Sequence, residues 1–210
     1  MPPDLDQFLT DYPDMAVYPS LYRGVELRGE ICFRAQPQGR PEIIGRYALQ
    51  ILLPLNFPAD LPSVIETGGQ IPRDADHHIN QDDFTLCLGS PLRLLLKLSR
   101  QPTLLGFIEG CVVPYLYAID HKLKFGGPFV FDELDHGVPG ALKDYKELFQ
   151  VDSIEKAHAT WLLLTLKKRR ANKRPCPCGC GQRVGRCAFN SRLRRFRKLA
   201  SRSWFRSHVL

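Results

Sequence analysis

The chain has 210 residues, of which 44% are hydrophobic and 10% aromatic, enough for a substantial core. It lacks any run near the roughly 20 apolar residues of a membrane helix, and its N-terminus lacks the basic and apolar regions of a signal peptide, so we expect a cytoplasmic protein. Seven cysteines, three scattered and four clustered, argue against a disulfide framework and suit a reducing compartment with a metal site.

Charge divides the chain into two modules. Residues 156–210 contain 16 Lys or Arg and no Asp or Glu, whereas residues 1–155 contain 13 basic and all 22 acidic residues. The first part therefore carries a net charge of −9 and the second +16, so the overall +7 describes neither. We place the boundary between the modules in residues 168–174.

The first module begins with a short helix and an antiparallel meander. Apolar residues recur at helical spacing from Leu5 to Tyr12. Residues 25–35 alternate apolar with polar side chains, which is typical of a strand with one buried face. Residues 47–53 predict a second, more buried strand that forms a hairpin with the first, and residues 63–67 predict a short third strand.

A central core helix is predicted downstream of this meander. Thr103 can cap a helix whose apolar positions between residues 104 and 119 cover most of its circumference. Pro114 should kink this helix, and Gly106 with Gly110, about one turn apart, should let it lie close to the sheet.

The second half of the chain is predicted to be helical after a glycine-rich loop. The loop spans residues 125–140 and contains three phenylalanines. A short helix follows over residues 142–149, and Ser153 can cap another helix that runs to Thr165 and into the basic linker. Beyond the clustered cysteines, apolar and basic residues from 192 to 204 interleave as in a basic amphipathic helix.

Between the third strand and the core helix lies a polar loop that contains Cys87. A reachable thiolate is a good nucleophile, but free cysteine is also among the most often buried side chains, and the residues alone leave both roles open. Asp82 and Asp83 would raise the thiol pKa, so this is not a protease-like cysteine beside an imidazolium. His77 and His78 are, on the residues alone, more typical of solvated or capping histidines.

The order of these features resembles the E2 ubiquitin-conjugating family over about residues 15–150. The features are the helix, the meander, a proline-rich corner at residues 53–62, a His/Asn segment, Leu86-Cys87-Leu88 and a crossing helix. By the family spacing, the histidine of the HPN tripeptide falls on His77, with Asn80 one position late. With the IPR segment before the histidines and the later Phe131 and His136, the chain resembles divergent bacterial E2-like proteins of ubiquitin-like conjugation operons.

The resemblance implies an α+β, UBC-like fold and a transferase. A ubiquitin-like protein would pass from an E1-like activating enzyme to Cys87 as a thioester and then to a protein target. Asn80 or His78 would take the part of the family asparagine, which supports the loop or the oxyanion. Two alternatives stay open: a non-catalytic UBC/RWD-like binding module, and a cysteine hydrolase that uses Cys87 with His136.

The four clustered cysteines predict a structural zinc site. Cys176, Cys178, Cys180 and Cys187 fall within twelve residues, and four thiolates satisfy one tetrahedral zinc ion. The pattern resembles the SEC-C motif, in which a cysteine or histidine normally follows the last cysteine. Ala188 occupies that position here, so Cys180 would supply the fourth ligand.

Three domains follow from these predictions. Residues 1–150 would form the E2/UBC-like domain, residues 151–173 a connecting helix with a basic linker, and residues 174–210 a SEC-C-like zinc knuckle with a basic tail. The tail could bind nucleic acid, an anionic membrane or an acidic protein surface, and the sequence does not choose among them.

Overall fold

The computed structural model describes residues 2–20, 24–130 and 137–208, which pack as two compact units. The first unit comprises Met1–Gly89 and Leu94–Glu133, and the second comprises Ser90–Arg93 and Leu134–Leu210. The chain is therefore mixed α/β, as predicted, while the UBC-like identity of the fold and the three predicted domains stay predictions. The α-helices in chain order are α1 (Leu5–Asp11), α2 (Pro91–Leu98), α3 (Leu104–Phe107), α4 (Val113–Phe125), α5 (Gly137–Phe149), α6 (Ile154–Thr165), α7 (Lys168–Ala171), α8 (Asn190–Leu199) and α9 (Arg202–Ser207).

A four-stranded antiparallel sheet organises the first unit. Its strands are adjacent in chain order: β1 (Met15–Tyr18), β2 (Gly24–Ala35), β3 (Ile43–Pro54) and β4 (Ser63–Glu66). The predicted hairpin is the β2–β3 pair, and the predicted third strand is β4. Strand β1 was not predicted, because four residues with a single buried side chain give no readable alternation.

The predicted alternation in β2 and β3 produces the core of the first unit. Leu27 and Ile31 of β2 and Leu49 and Ile51 of β3 are fully shielded from solvent, and both strands contact helix α4. Burial of side chains of this size contributes roughly 1.5–3 kcal/mol each to folding. The sheet face and the central helix therefore form a rigid base for the loop that follows β4.

The core helix is interrupted where the sequence predicts a kink. The Thr103 hydroxyl accepts the N–H of Gly106 and caps α3, as predicted. A π-helical turn over Ile108–Val112 then separates α3 from α4, directly before Pro114. The predicted role of the two glycines is wrong: a Cβ on Gly106 would meet the Gln101 backbone rather than the sheet, and a Cβ on Gly110 would meet nothing outside its own helix backbone within 4 Å.

The second unit has an aromatic core around Trp161 of α6. Its ring stacks on Tyr145 at a centroid distance of 4.5 Å and meets Phe205 edge-on at 5.2 Å. Its indole N–H donates to the Phe205 carbonyl at 3.0 Å, so the one polar atom of this buried ring is satisfied. Ser153 caps α6 by accepting the N–H of Lys156, as predicted.

Candidate functional site

The segment before Cys87 doubles back on itself beside the end of the sheet. Leu86 donates its backbone N–H to the Val64 carbonyl of β4 at 2.8 Å, and it pairs with Ile79 across the turn. One step further along this ladder, the backbone N–H of Cys87 donates to the His78 carbonyl at 2.8 Å. Cys87 therefore has a fixed backbone position opposite His78.

Local sequence explains why the chain turns here. The Asp74 carboxylate accepts the backbone N–H of His77 at 2.9 Å and caps a single 3₁₀ turn over Ala75–His77. His78 then adopts the left-handed region, with φ of 53°, and ends that turn. The polar residues that made this loop look unusual in the sequence thus define its backbone path.

The Cys87 thiol is partly buried, and its surroundings keep it protonated. Burial raises the pKa of Cys87, while a hydrogen bond from the Gly89 backbone acts in the opposite direction with less effect. Leu86 before it is buried and Leu88 after it packs at the edge of the core. The thiol is therefore reachable without being activated as a free thiolate.

His78 and Asn80, the two predicted substitutes for the family asparagine, have different environments. The His78 ring is nine-tenths buried and meets Phe129 edge-on at a centroid distance of 4.4 Å. Asn80 is exposed, and its side-chain amide donates to the Thr85 hydroxyl at 2.8 Å. Asn80 thus closes the turn between residues 80 and 85, whereas His78 is the backbone partner of Cys87.

Helix α4 holds the loop by two polar contacts. The Tyr115 hydroxyl donates to the His77 carbonyl at 2.7 Å, and the Lys122 ammonium group donates to the Asp76 carbonyl at 2.7 Å. Burial raises the pKa of Tyr115, and negative charge on Cys87 raises it further. The phenol therefore stays protonated as a hydrogen-bond donor close to the thiol.

The His77 side chain is hydrogen-bonded to Asp74. Its ring Nδ1 lies 2.7 Å from the Asp74 carboxylate, and the hydrogen bond from His77 lowers the pKa of that carboxyl. His77 thereby stabilises the cap of the 3₁₀ turn, which matches the capping role that the residues alone favoured.

The four clustered cysteines converge, as predicted. Their sulfur atoms all lie within 4.8 Å of one another. The Sγ atom of Cys178 lies 3.2 Å from that of Cys176 and 3.6 Å from that of Cys187, and the Cys180 and Cys187 sulfurs are 3.5 Å apart. Tetrahedral zinc with Zn–S bonds of about 2.3 Å separates its sulfurs by about 3.8 Å. The donor set could therefore hold one metal ion with little rearrangement.

The backbone around the cysteines forms a tight hairpin. Cys176 donates its N–H to the Gln182 carbonyl at 2.8 Å, and Pro175 pairs with Arg183. The Phe189 N–H donates to the Cys187 sulfur at 3.4 Å, a contact that orients a thiolate ligand. A hydrogen bond from the Cys176 thiol lowers the pKa of Cys178 to about 7, so one sulfur of the set ionises readily at neutral pH.

No known protein family, curated protein or solved structure matches the chain. The resemblances to E2-like proteins and to the SEC-C motif therefore rest on the residues given above. None of the described helices is long and apolar enough to cross a membrane.

The sequence did not predict the contribution of Tyr115 and Lys122. Both are on α4 seven residues apart, so the spacing places them on one helix face but does not predict that this face contacts the loop. Of the other predicted residues, Phe131 and His136 lie outside the described residues. Of the scattered cysteines besides Cys87, Cys111 is buried in the core, and Cys32 is exposed on the sheet.

Proposed function

We propose that this protein is an E2-like conjugating enzyme, in which Cys87 accepts the C-terminal carbonyl of a ubiquitin-like protein. The observation that carries the proposal is the partly buried Cys87 thiol on a backbone ladder with His78 beside an antiparallel sheet. The order of sheet, loop, cysteine and crossing helix supports the resemblance stated above.

The first step of the proposed reaction is an exchange of thioesters. The Cys87 thiol loses its proton and its sulfur attacks the thioester carbonyl carried by an E1-like enzyme. A new C–S bond forms, the bond to the cysteine of the E1-like enzyme breaks, and that cysteine leaves as a thiolate and takes up a proton. In the second step an amine or hydroxyl of the target attacks the carbonyl, and Cys87 leaves.

The raised pKa of Cys87 suits a carrier more than a hydrolase. A thiol of high pKa is a slow leaving group, so its thioester resists attack by water and persists until a positioned target arrives. The cost is a small fraction of thiolate at neutral pH, which the high local concentration of a docked donor offsets.

Support for the developing oxyanion would come from hydrogen-bond donors close to Cys87, on the loop and on α4. The Tyr115 hydroxyl and the Asn80 amide already make hydrogen bonds that shape the loop, so their part is to hold the Cys87 backbone in place. His78, whose carbonyl pairs with the Cys87 N–H, is the better candidate for the position of the family asparagine.

The metal would have a structural part in this scheme. Zinc held by Cys176, Cys178, Cys180 and Cys187 would link the hairpin to the start of α8. It would supply no chemistry at Cys87. The partners of the proposed enzyme are the ubiquitin-like protein, the E1-like enzyme and a protein target.

A charging assay tests this proposal. The full-length protein is incubated with the ubiquitin-like protein and E1-like enzyme of its own conjugation system and with ATP. We expect an adduct that a reducing agent removes, that Cys87→Ala abolishes, and that Cys87→Ser converts to a reductant-resistant ester. Cys32→Ala is the matched control, because Cys32 is an exposed thiol on the same unit. An adduct that survives in Cys87→Ala would place the acceptor on another residue and overturn the role of Cys87. Absence of any adduct with active E1 would favour the non-catalytic UBC/RWD-like module.

A further inference from the structure

A cleft in the second unit has an unusual concentration of positive charge. It has a volume of about 450 Å³ and is lined by Lys167, Lys168, Arg197 and Arg202, with no carboxylate among the described residues of its wall. This volume lies in the range of ligand sites, roughly 300–1,000 Å³. Because residues 156–210 contain no Asp or Glu, these cations have no acidic neighbour within that segment.

Arg197, which lines this cleft, has one guanidinium nitrogen without an acceptor. Its Nη2 donates to the Leu163 carbonyl at 3.0 Å, whereas its Nη1 is shielded from solvent and has no hydrogen-bond partner in the described part of the chain. Burial lowers the pKa of Arg197, so the charged form is penalised as the protein stands. A buried cation is costly without compensation, and an anion in the cleft that Arg197 lines would supply the opposite charge.

Further cations surround the hairpin that carries the clustered cysteines. Gly185 donates its N–H to the Asn172 carbonyl at 3.0 Å, and Val184 donates to the Arg174 carbonyl at 2.9 Å, so the chain after α7 runs beside the hairpin. The 3₁₀ turn at the end of the hairpin contacts α8. The exposed basic residues of these connected segments are Arg169, Arg170, Lys173, Arg174, Arg183, Arg186, Arg192, Arg194, Arg195 and Lys198.

The apolar side chains of this region narrow the choice of partner. Phe189, Phe196, Trp204 and Phe205 are the aromatic residues of segment 167–208, and all four are buried. A surface without exposed aromatic rings lacks the aromatic platform on which proteins that bind single strands stack unpaired bases. With the apolar face of α8 buried in the core, that helix also has no apolar face to insert into a bilayer. The partner that remains is a nucleic acid with a regular backbone, whose phosphates the exposed arginines can contact.

We propose that this unit binds duplex nucleic acid through its phosphates, with one phosphate in the cleft of Lys167, Lys168, Arg197 and Arg202. The exposed arginines of α7 and α8 contact neighbouring phosphates. Recognition is independent of base sequence, because phosphate contacts carry no sequence information directly. This binding requires neither Cys87 nor the thioester reaction.

The test is fluorescence anisotropy with the full-length, metal-loaded protein and a labelled DNA duplex of arbitrary sequence, titrated with salt. The main variant combines Lys167→Ala, Lys168→Ala and Arg202→Ala. The control combines Arg34→Ala, Lys97→Ala and Arg100→Ala. These three exposed cations lie outside the second unit, and their loss removes as much charge as the main variant does. A second variant, Lys168→Glu, changes one exposed side chain. Tryptophan fluorescence checks that the second-unit variants are folded, and circular dichroism checks the control, because both tryptophans lie in the second unit.

We expect the triple variant to bind roughly tenfold or more weakly and its salt slope to fall by about 0.9 per lost contact, while the control keeps both. The same cations should bind duplex RNA, and the matching single strand should bind less tightly. Equal loss in variant and control would overturn the cleft as the site. Binding to phosphatidylserine vesicles or polyglutamate without binding to the duplex would overturn nucleic acid as the partner.

Discussion

The two groups of thiols in this protein show opposite ways in which a fold sets the chemistry of cysteine. Cys87 is alone, and burial among leucines raises its pKa. Cys178 is exposed at the protein surface, and the neighbouring Cys176 thiol lowers its pKa to about 7. The first environment favours a neutral thiol that ionises only to react, and the second favours thiolates that a metal neutralises.

The comparison extends to how each group is held. The Cys87 position depends on a backbone hydrogen bond and on contacts from a helix distant in sequence, so it needs the whole first unit. The metal cluster depends on twelve consecutive residues and a hairpin. A local cluster should respond to removal of its ion, whereas the distributed site should respond to loss of a single side-chain contact.

Removal of the metal should have the largest effect and should be confined to the second unit. Both tryptophans of the chain, Trp161 and Trp204, belong to that unit, so tryptophan fluorescence reports it alone. With a strong chelator we expect a lower melting temperature by fluorescence. The loss should be smaller than the about 10–16 kcal/mol with which zinc folds finger peptides, because the aromatic core around Trp161 remains.

The control for this experiment is Cys87→Ala, which should leave the fluorescence melting curve unchanged with and without chelator. Cys187→Ser should reproduce the effect of the chelator, because the Cys187 sulfur lies within 3.6 Å of two other sulfurs of the cluster. Cys180→Ser tests the fourth ligand: a metal content unchanged from the parent would remove Cys180 from the set.

The Tyr115→Phe substitution should have the second-largest effect, at the distributed site. It removes the hydroxyl that donates to the His77 carbonyl and leaves that acceptor without this donor. We expect a loss of about 1–3 kcal/mol in unfolding free energy, measured by urea denaturation. If the proposed function holds, charging of Cys87 should slow by more than this loss of stability explains. Tyr117→Phe is the matched control. Tyr117 lies on the same helix as Tyr115, but its hydroxyl donates to the Pro41 carbonyl, away from the loop.

The two sites of these predictions also show which features of the structure could be predicted from the sequence. Three kinds of local pattern predicted what the structure has. They are the alternation in β2 and β3, the caps at Thr103 and Ser153, and the spacing of the four cysteines. The contacts of Tyr115 and Lys122 with the loop join residues 38 and 46 positions apart, and no local pattern encodes them.

A buried carboxylate was missed for the same reason. Asp144 of α5 is fully buried and accepts hydrogen bonds from Ser90 and Arg93, both over 50 positions away in the sequence. In the sequence it is an ordinary polar residue of an amphipathic helix. Only the fold identifies it as the partner of an arginine within the second unit.

The third prediction concerns the reactivity of Cys87. Because its pKa is raised, the thiolate fraction at a given pH is smaller than for an ordinary cysteine, and the rate of alkylation by iodoacetamide should be lower. We expect the rate to rise about tenfold per pH unit and to keep rising through pH values of about 8.5–9, where an ordinary thiol levels off. Mass spectrometry of the Cys87 peptide measures the rate, with urea-unfolded protein as the reference.

The sign of this pH effect also bears on stability. A thiol with a raised pKa in the folded state binds its proton more tightly there than in the unfolded chain. Its contribution to stability is complete below the unfolded pKa and is lost as the pH rises through the folded pKa. Cys87→Ala should therefore lessen the alkaline decrease in stability of the first unit. Native alkylation as fast as in urea would contradict the protected environment described for this thiol.

The smallest effect should come from Asn80→Ala, and it separates two roles for this residue. If Asn80 only closes the turn with Thr85, the exposed hydrogen bond should contribute about 0.5–1.5 kcal/mol to the unfolding free energy. Charging and transfer should then fall no more in Asn80→Ala than in Thr85→Val, which removes this contact and also the bond that the Thr85 hydroxyl donates to Asp83. A much larger loss of transfer in Asn80→Ala alone would assign the amide to the oxyanion. His78→Ala would then be expected to retain transfer, so the pair of substitutions decides which residue takes the part of the family asparagine.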